Sequence, residues 1–233
     1  MAVNLSVNKT KIILAVDGAA SSGKSTGAKL ISKKYKLHFL SSGLLYRYTS
    51  YLIIKYKPQK KISFLKKKFR NLNYKYITRL NLHNQKISNH VAILAKEKKV
   101  RLILRMFQKK FAKKYKRVCI EGRDIASEIL KKNPHYDVAF YFTCKPNIAA
   151  YRRWKELKTF NKKISLEEVK KSLRIRNERD KKRRYSPLKR VKDSVLIRSD
   201  ILSKSAKVTK MSKVIERKIL LKKYGRNYKI RKK

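Results

Sequence analysis

The amino-acid sequence predicts an α/β fold in which helices flank both faces of a mostly parallel sheet. Short apolar runs of strand length alternate with longer stretches of helical spacing, a pattern typical of parallel strands joined by right-handed crossovers. A glycine-rich loop at residues 18–25 follows the first apolar run directly. At 233 residues the chain can bury one sizeable core, so we expect a single domain over residues 1–233.

Hydrophobic spacing gives the order of the elements. We expect strands over residues 12–17, 38–40, 118–120, 138–143 and 195–197. We expect helices over residues 24–36, 42–53, 91–115, 146–158, 166–184 and 205–223. Residues 58–90 are rich in lysine and show no clear period, so the sequence assigns them only to a small insertion. The polar run 158–164 separates two helices and is predicted to be a flexible lid.

The loop at residues 18–25 reads GAASSGKS, a complete G-x-x-x-x-G-K-[ST] phosphate loop between a strand and a helix. Its glycines let successive backbone N–H groups point at phosphate oxygens, at the positive end of the next helix. Lys24 can follow the charge that moves with the γ-phosphate, and the Ser25 hydroxyl can hold Mg²⁺, the expected cofactor. A Gly/Ser turn formed by chance would not be expected to match every position of this motif between a strand and a helix. The predicted ATP-binding residues are Gly18, Ala19, Ala20, Ser21, Ser22, Gly23, Lys24, Ser25 and Thr26.

Composition limits the class of protein. The formal charge of +52 would attract any polyanion, but the lysines are scattered, and scarce Gly and Pro indicate a background bias in composition. We expect no specific nucleic-acid partner. Weak, salt-sensitive RNA adhesion is compatible both with a compositional bias and with a functional basic charge. No apolar segment is long enough for a membrane span, so we expect a cytoplasmic protein without a membrane partner. Cys119 and Cys144 are expected to be reduced thiols, and the histidines form no metal cage.

Four clusters carry a more specific signal. They are GAASSGKST at 18–26, SSGLLYR at 41–47, EGRD at 121–124, and the set Arg176, Asp180 and Arg183. In this order and spacing they resemble the bacterial cytidylate kinases, which are P-loop nucleoside monophosphate kinases; the resemblance covers about residues 12–200.

The resemblance implies a three-layer P-loop kinase fold with a monophosphate-binding region at about 46–105 and a lid at about 152–165. A basic tail at about 222–233 would follow. The implied reaction transfers the ATP γ-phosphoryl group to CMP or dCMP, with ATP and CMP or dCMP as partners of a monomer. Since a monophosphate already carries negative charge near neutral pH, the attack needs no general base.

The resemblance also implies roles for the acceptor-binding residues. Ser42, Arg47 and Arg123 would contact the acceptor phosphate, Arg101 and Asp124 would read the cytosine, and the remaining cluster, Arg176, Asp180 and Arg183, would bind sugar and phosphates. Arginine suits phosphate because its planar fork of donors stays charged. The last cluster lies on one predicted helix face and could equally be a solvated ion-pair ladder.

Two further arginines precede the lid. We expect Arg152 and Arg153 to swing in from the lid as catalytic residues, although they could also be exposed charges on a basic helix.

The chain departs from the usual motifs of this family at three positions. Ser41 and Glu121 stand where aspartates are usual, and Ala92 stands where a hydroxyl residue is often found near the base. Glu121 can still reach Mg²⁺ through water, whereas Ser41 cannot. Base choice is therefore open to an alternative acceptor such as UMP. A basic RNA-binding protein gated by ATP is the alternative from a different class.

Overall fold

The computed structural model describes residues 10–82, 85–159 and 162–225, with the backbone alone of residue 85. Its strands form one five-stranded parallel sheet in the order β2-β3-β1-β4-β5. They are β1 (Ile12–Gly18), β2 (His38–Ser41), β3 (Arg117–Gly122), β4 (Val138–Thr143) and β5 (Val195–Arg198). The prediction of an α/β fold with a parallel sheet is confirmed.

Helices cover both faces of this sheet. They are α1 (Lys24–Lys34), α2 (Ser42–Tyr56), α3 (Lys61–Arg70), α4 (Tyr74–Thr78), α5 (Gln85–Leu94), α6 (Lys98–Lys114), α7 (Pro146–Lys158), α8 (Leu166–Lys182) and α9 (Lys204–Tyr224). A short π-helical segment, Ile125–Ile129, follows β3. None of the described helices is long and apolar enough to cross a membrane.

The core divides by the alternation of side chains along β1. Ile13 and Ala15 pack on the face covered by α2, α6 and the insertion helices, while Ile12, Leu14 and Val16 pack on the face covered by α1 and α9. Because both faces are covered, this strand is apolar throughout, as buried parallel strands are. A third, smaller cluster joins α7 to α8.

The insertion that the sequence left unassigned is helical, and it corrects one prediction. The expected single helix over 91–115 is two helices, α5 and α6, separated at residues 95–97. The break is stabilised by side chains: Arg101 donates to the Ala95 carbonyl at 3.2 Å, and Glu97 pairs with Lys61 of α3 at 2.7 Å. No glycine or proline marks this break, so hydrophobic spacing alone could not locate it.

Two other predicted boundaries shift. Helix α8 ends at Lys182, so Arg183 has an extended backbone and does not continue the helix face that was predicted to run to residue 184. The predicted basic tail begins inside α9, where Lys222 pairs with Asp137 at 2.6 Å. Residues 226–233 of that tail, and residues 160–161 of the predicted lid, lie outside the described residues.

Candidate active site

The phosphate loop joins β1 to α1 and depends on two glycines. Gly23, which caps α1, has φ 76°, a left-handed conformation that side chains rarely adopt. A Cβ atom at Gly18 would lie 2.5 Å from the Phe142 carbonyl oxygen, so the loop can only approach β4 this closely without a side chain. The loop therefore leads directly into the start of α1, where backbone N–H groups can bind an anion.

Lys24 lies buried at the start of α1. Its Nζ is 4.0 Å from a Glu121 carboxylate oxygen and 3.4 Å from the Ala19 carbonyl. Burial, and then the charge of Arg123, lowers the pKa of Lys24 to about 7, while Glu121 acts in the opposite direction. A ligand that brings negative charge to this point would restore the full charge of the lysine.

A cavity of about 1370 Å³ opens beside Lys24 at the carboxyl ends of β2 and β3. Parallel α/β sheets commonly bind ligands at this edge. The cavity brings together eleven of the predicted site residues, from five separate segments. Those that line it are Lys24, Ser25, Ser42, Arg47, Arg101, Glu121, Arg123, Asp124, Arg176, Asp180 and Arg183.

The predicted acceptor-binding residues define one part of the cavity, which we call the acceptor side. Charged side chains in this part form a network of pairs. Arg101 bonds to Asp124, and both side chains are buried. Arg183 lies 3.7 Å from Asp124 and 3.3 Å from Asp180, and Arg123 lies 3.4 Å from Asp180. These bonds join α6, the end of β3 and α8. The cluster at the end of α8 is therefore more than a solvated ladder within one helix.

Arg176 and Arg47 add further positive charge around this network. Arg176 lines the cavity, where desolvation, and then the charge of Arg123, lowers its pKa to about 10. Burial, and then Arg153, lowers the pKa of Arg47. Several cations thus surround one volume, an arrangement that favours an anionic ligand.

Arg47 is held on the insertion side by Nη1, which donates to the Leu82 carbonyl at 3.1 Å and to the Ser88 hydroxyl at 2.9 Å. Ser88 lines the cavity one helical turn before Ala92, which is exposed and is not part of the lining. A hydroxyl side chain therefore lines the cavity at Ser88, whereas Ala92 supplies none. Residues four apart share a helix face, so the sequence could have indicated Ser88 as a hydroxyl residue on the same face as Ala92.

Ser41 and Glu121 form a direct pair at the ends of neighbouring strands. The Ser41 hydroxyl donates to Glu121 at 2.5 Å, and the Ser41 backbone N–H donates to the Tyr74 hydroxyl oxygen at 2.7 Å. The two departures from the family pattern thus contact each other, a relation that spacing in the sequence does not reveal. Glu121 keeps one carboxylate oxygen within 4.0 Å of Lys24.

The residues around Lys24 fit a magnesium ion bound together with a nucleotide. Ser25 and Glu121 both line the cavity. Within the described ranges no group of three or more His, Cys, Asp or Glu side chains could hold a metal by itself. The Ser25 hydroxyl and the Glu121 carboxylate suit Mg²⁺, which commonly takes one or two protein oxygens and completes its shell with phosphate oxygens and water.

The predicted lid arginines lie outside the cavity lining. Arg152 donates to the Ser199 carbonyl at 2.8 Å and contacts its hydroxyl at 3.2 Å, and Ser199 packs against Gly23 of the phosphate loop. Arg153 pairs with Glu156 at 2.7 Å, while its charge acts on Arg47. Arg152 therefore lies beside the phosphate loop, whereas Arg153 is near enough to Arg47 for its charge to act there.

Two residues at the site were missed by sequence reasoning. Asp17, 2% exposed, accepts hydrogen bonds from the Ile125 and Ala126 backbone N–H groups, and burial raises its pKa to about 7. The signal for Asp17 in the sequence was a carboxylate near the end of an otherwise apolar strand. Asn177 accepts from the Ala20 backbone N–H at 2.9 Å and so ties α8 to the phosphate loop. We find no sequence signal for Asn177.

Comparison with known proteins agrees with this geometry. A family model described as cytidylate kinase matches residues 14–217. The chain is similar to cytidylate kinases of Clostridium tetani, with 31% identity over 90% of this chain and 96% of that protein, and of Rickettsia akari, with 30% identity over 88% and 92%. An uncharacterized protein from Eubacterium ventriosum shares the fold, with a TM-score of 0.51, 14% identity and coverage of 89% of this chain and 99% of that one. By sequence and by the family model, the chain belongs to the cytidylate kinase family.

Proposed function

We propose that the protein transfers the γ-phosphoryl group of ATP to CMP or dCMP and gives CDP or dCDP. The observation that carries the proposal is that Lys24 of the phosphate loop and the acceptor arginines line one cavity. Transfer requires the donor and acceptor phosphates to lie in line and close together, and a single cavity meets that requirement.

On the donor side, the phosphate loop binds the triphosphate through backbone N–H groups, and Lys24 stabilises the charge on the transferring group. Mg²⁺ is the proposed cofactor, held by Ser25 and, through water, by Glu121. When bound, it neutralises charge on the phosphate oxygens. Arg123 contributes from the acceptor side, because its Nη1 already donates to the Gly18 carbonyl at 2.9 Å.

On the acceptor side, Arg47, Arg123 and Ser42 bind the monophosphate, while Arg176, Asp180 and Arg183 bind the sugar and phosphates. The charged pairs of this network must exchange partners when the acceptor enters. Since Arg47, Arg123 and Arg183 are already held by a carboxylate or carbonyl, these side chains lose little rotamer freedom on binding.

Arg101 and Asp124 read the base. A carboxylate accepts from the exocyclic amino group of cytosine, whereas uracil presents a carbonyl at that position. The buried Arg101–Asp124 pair keeps the carboxylate oriented, so it rejects a base that lacks a donor.

The transfer itself needs no proton acceptor, because the acceptor phosphate is an anion near neutral pH. The protein's contribution is position and charge. Arg152 and Arg153 of the lid add positive charge as α7 and α8 close, and closure excludes water that would otherwise hydrolyse ATP.

The decisive experiment measures ADP formation with Mg-ATP and a panel of CMP, dCMP, UMP and AMP. We expect kcat/KM to be at least about ten-fold higher for CMP or dCMP than for UMP, the cost of losing one charge-assisted hydrogen bond. Equal use of UMP would withdraw the assignment to cytidine nucleotides. No transfer to any monophosphate would overturn the proposal.

A further inference from the structure

Asp17 is a buried charge without a charged partner. It is the penultimate residue of β1, and no described Lys or Arg lies within 4.0 Å of its carboxylate. Each carboxylate oxygen instead accepts one backbone N–H, from Ile125 and from Ala126, both at 2.8 Å. The side chain is thus fully used as an anchor for the segment that follows β3.

Such an anchor is costly. Removing a carboxylate from water is unfavourable unless it is paired, and two amide donors compensate only in part. The raised pKa of Asp17 reports the same cost. An apolar residue would continue the buried pattern of β1 at no such cost, so the value of Asp17 lies in what it positions.

Asp17 positions the segment after β3, which lies between the two proposed substrate sites. Ile125 and Ala126 directly follow Arg123 and Asp124, which line the acceptor side, and Asp17 directly precedes the phosphate loop. A second bond runs back across the same gap, because Arg123 donates to the Gly18 carbonyl at 2.9 Å. The acceptor segment is therefore fastened to the first residues of the phosphate loop at two points.

We propose that Asp17 is a positioning residue that couples acceptor binding to nucleotide binding. With the Arg123–Gly18 bond, it forms a latch that fixes Arg123 and Asp124 relative to the phosphate loop. ATP in the loop then holds the acceptor groups in place for CMP, and CMP does the same for ATP. This inference rests on the proposed function, since it takes ATP and CMP as the two ligands.

Reciprocity makes the coupling measurable. The test is the dissociation constant of CMP, measured by calorimetry with and without a non-hydrolysable ATP analogue and Mg²⁺. For the wild-type protein we expect the analogue to tighten CMP binding by about ten-fold, within the usual range of coupling factors. In Asp17→Asn the ratio should fall below about two, because an amide can accept only one of the two N–H bonds.

The chain provides a matched control in Asp137. This carboxylate also anchors β1, at its opposite end, by accepting from the Ile13 backbone N–H at 2.8 Å. Asp137→Asn should lower the melting temperature but leave the coupling ratio and kcat/KM for CMP within about two-fold. Asp17→Asn should lower kcat/KM for CMP by about ten-fold, as expected for one lost buried hydrogen bond.

A purely structural role would lower the fraction of folded protein without changing the ratio of CMP affinities. An unchanged ratio in Asp17→Asn, or a wild-type ratio of one, would overturn the latch. Asp17→Glu serves as a second variant that keeps the charge but displaces both oxygens, and it should also lose the coupling. Failure of the wild-type protein to phosphorylate CMP would overturn the proposed function instead, because the coupling ratio is measured by binding and needs no phosphoryl transfer.

Discussion

The phosphate loop and the acceptor side of the cavity are built in different ways. The loop consists of consecutive residues whose backbone conformation, set by Gly18 and Gly23, forms the binding surface. The acceptor side joins α6, β3 and α8 through paired side chains such as Arg101 and Asp124. A site made by backbone tolerates change in most side chains. A site made by paired side chains depends on both partners, as in the hydrogen bond from Ser41 to Glu121.

The largest expected effect comes from a side chain of the phosphate loop. Lys24→Ala should lower kcat by at least about 100- to 1000-fold, because it removes the charge that stabilises the transferring phosphoryl group. Stability should not fall, since burial already disfavours the charged lysine. A coupled ADP assay and thermal unfolding measure the two quantities.

Lys33→Ala is the matched control, on the same helix but exposed, and should stay within about two-fold of wild type in rate. Near-wild-type turnover by Lys24→Ala would contradict the assignment of the phosphate loop.

A pair of substitutions separates phosphate binding from base reading on the acceptor side. Arg123→Ala should lower kcat/KM for CMP and UMP alike, by about 10- to 100-fold, because a phosphate contact carries no information about the base. Asp124→Asn should lower it for CMP by a similar factor but spare UMP, since an amide can donate to the uracil carbonyl. Initial rates with both acceptors give the comparison.

Glu128→Gln controls for the loss of a carboxylate in the same segment. Its partner is Arg105 at 2.8 Å, and neither residue lines the main cavity. Both acceptors should keep their rates within about two-fold. An equal loss of CMP and UMP activity in Asp124→Asn would remove its role in base reading.

The sequence predicts the fold and the donor side because both depend on local patterns. Strand and helix periods located the sheet, and one motif located the loop from Gly18 to Thr26. The family prediction is confirmed by the comparisons. The break between α5 and α6 was missed because side chains distant in sequence, such as Lys61 on Glu97, hold it.

The acceptor side was predictable in its residues but not in its contacts. The resemblance to the cytidylate kinases implied Arg101, Asp124 and Arg183, yet their pairing depends on how α6 and α8 meet at β3. Asp17 was missed although a carboxylate near the end of an otherwise apolar, buried strand is itself a signal. Roles in catalysis remain predictions for all of these residues.

Ser41→Asp tests how far the acceptor side depends on paired changes. It restores the residue usual in the family but places a second carboxylate against Glu121, which now accepts from the Ser41 hydroxyl at 2.5 Å. We expect a loss of about 1–3 kcal/mol in the free energy of unfolding, the cost of an unsatisfied buried polar group. Ser41→Asp with Glu121→Gln should recover most of it. Urea unfolding of the three variants measures the difference, and full stability of Ser41→Asp alone would contradict the pairing.

The smallest expected effect is the uptake of a proton when the nucleotide binds. Burial lowers the pKa of Lys24 from 10.5 to about 7, so above pH 7 the free protein holds this lysine mostly neutral. Phosphate oxygens favour the charged form and raise its pKa again, so binding must take up a fraction of a proton. That fraction should be near zero at pH 6, where Lys24 is already protonated, and should rise between pH 6 and pH 8. Calorimetry with Mg²⁺ and the non-hydrolysable analogue in two buffers of different ionisation enthalpy measures it, and Lys24→Met, in which the titrating group is absent, corrects for protons released by the nucleotide. The same uptake in Lys24→Met would show that another group titrates, and the depressed pKa of Lys24 would then not govern nucleotide binding.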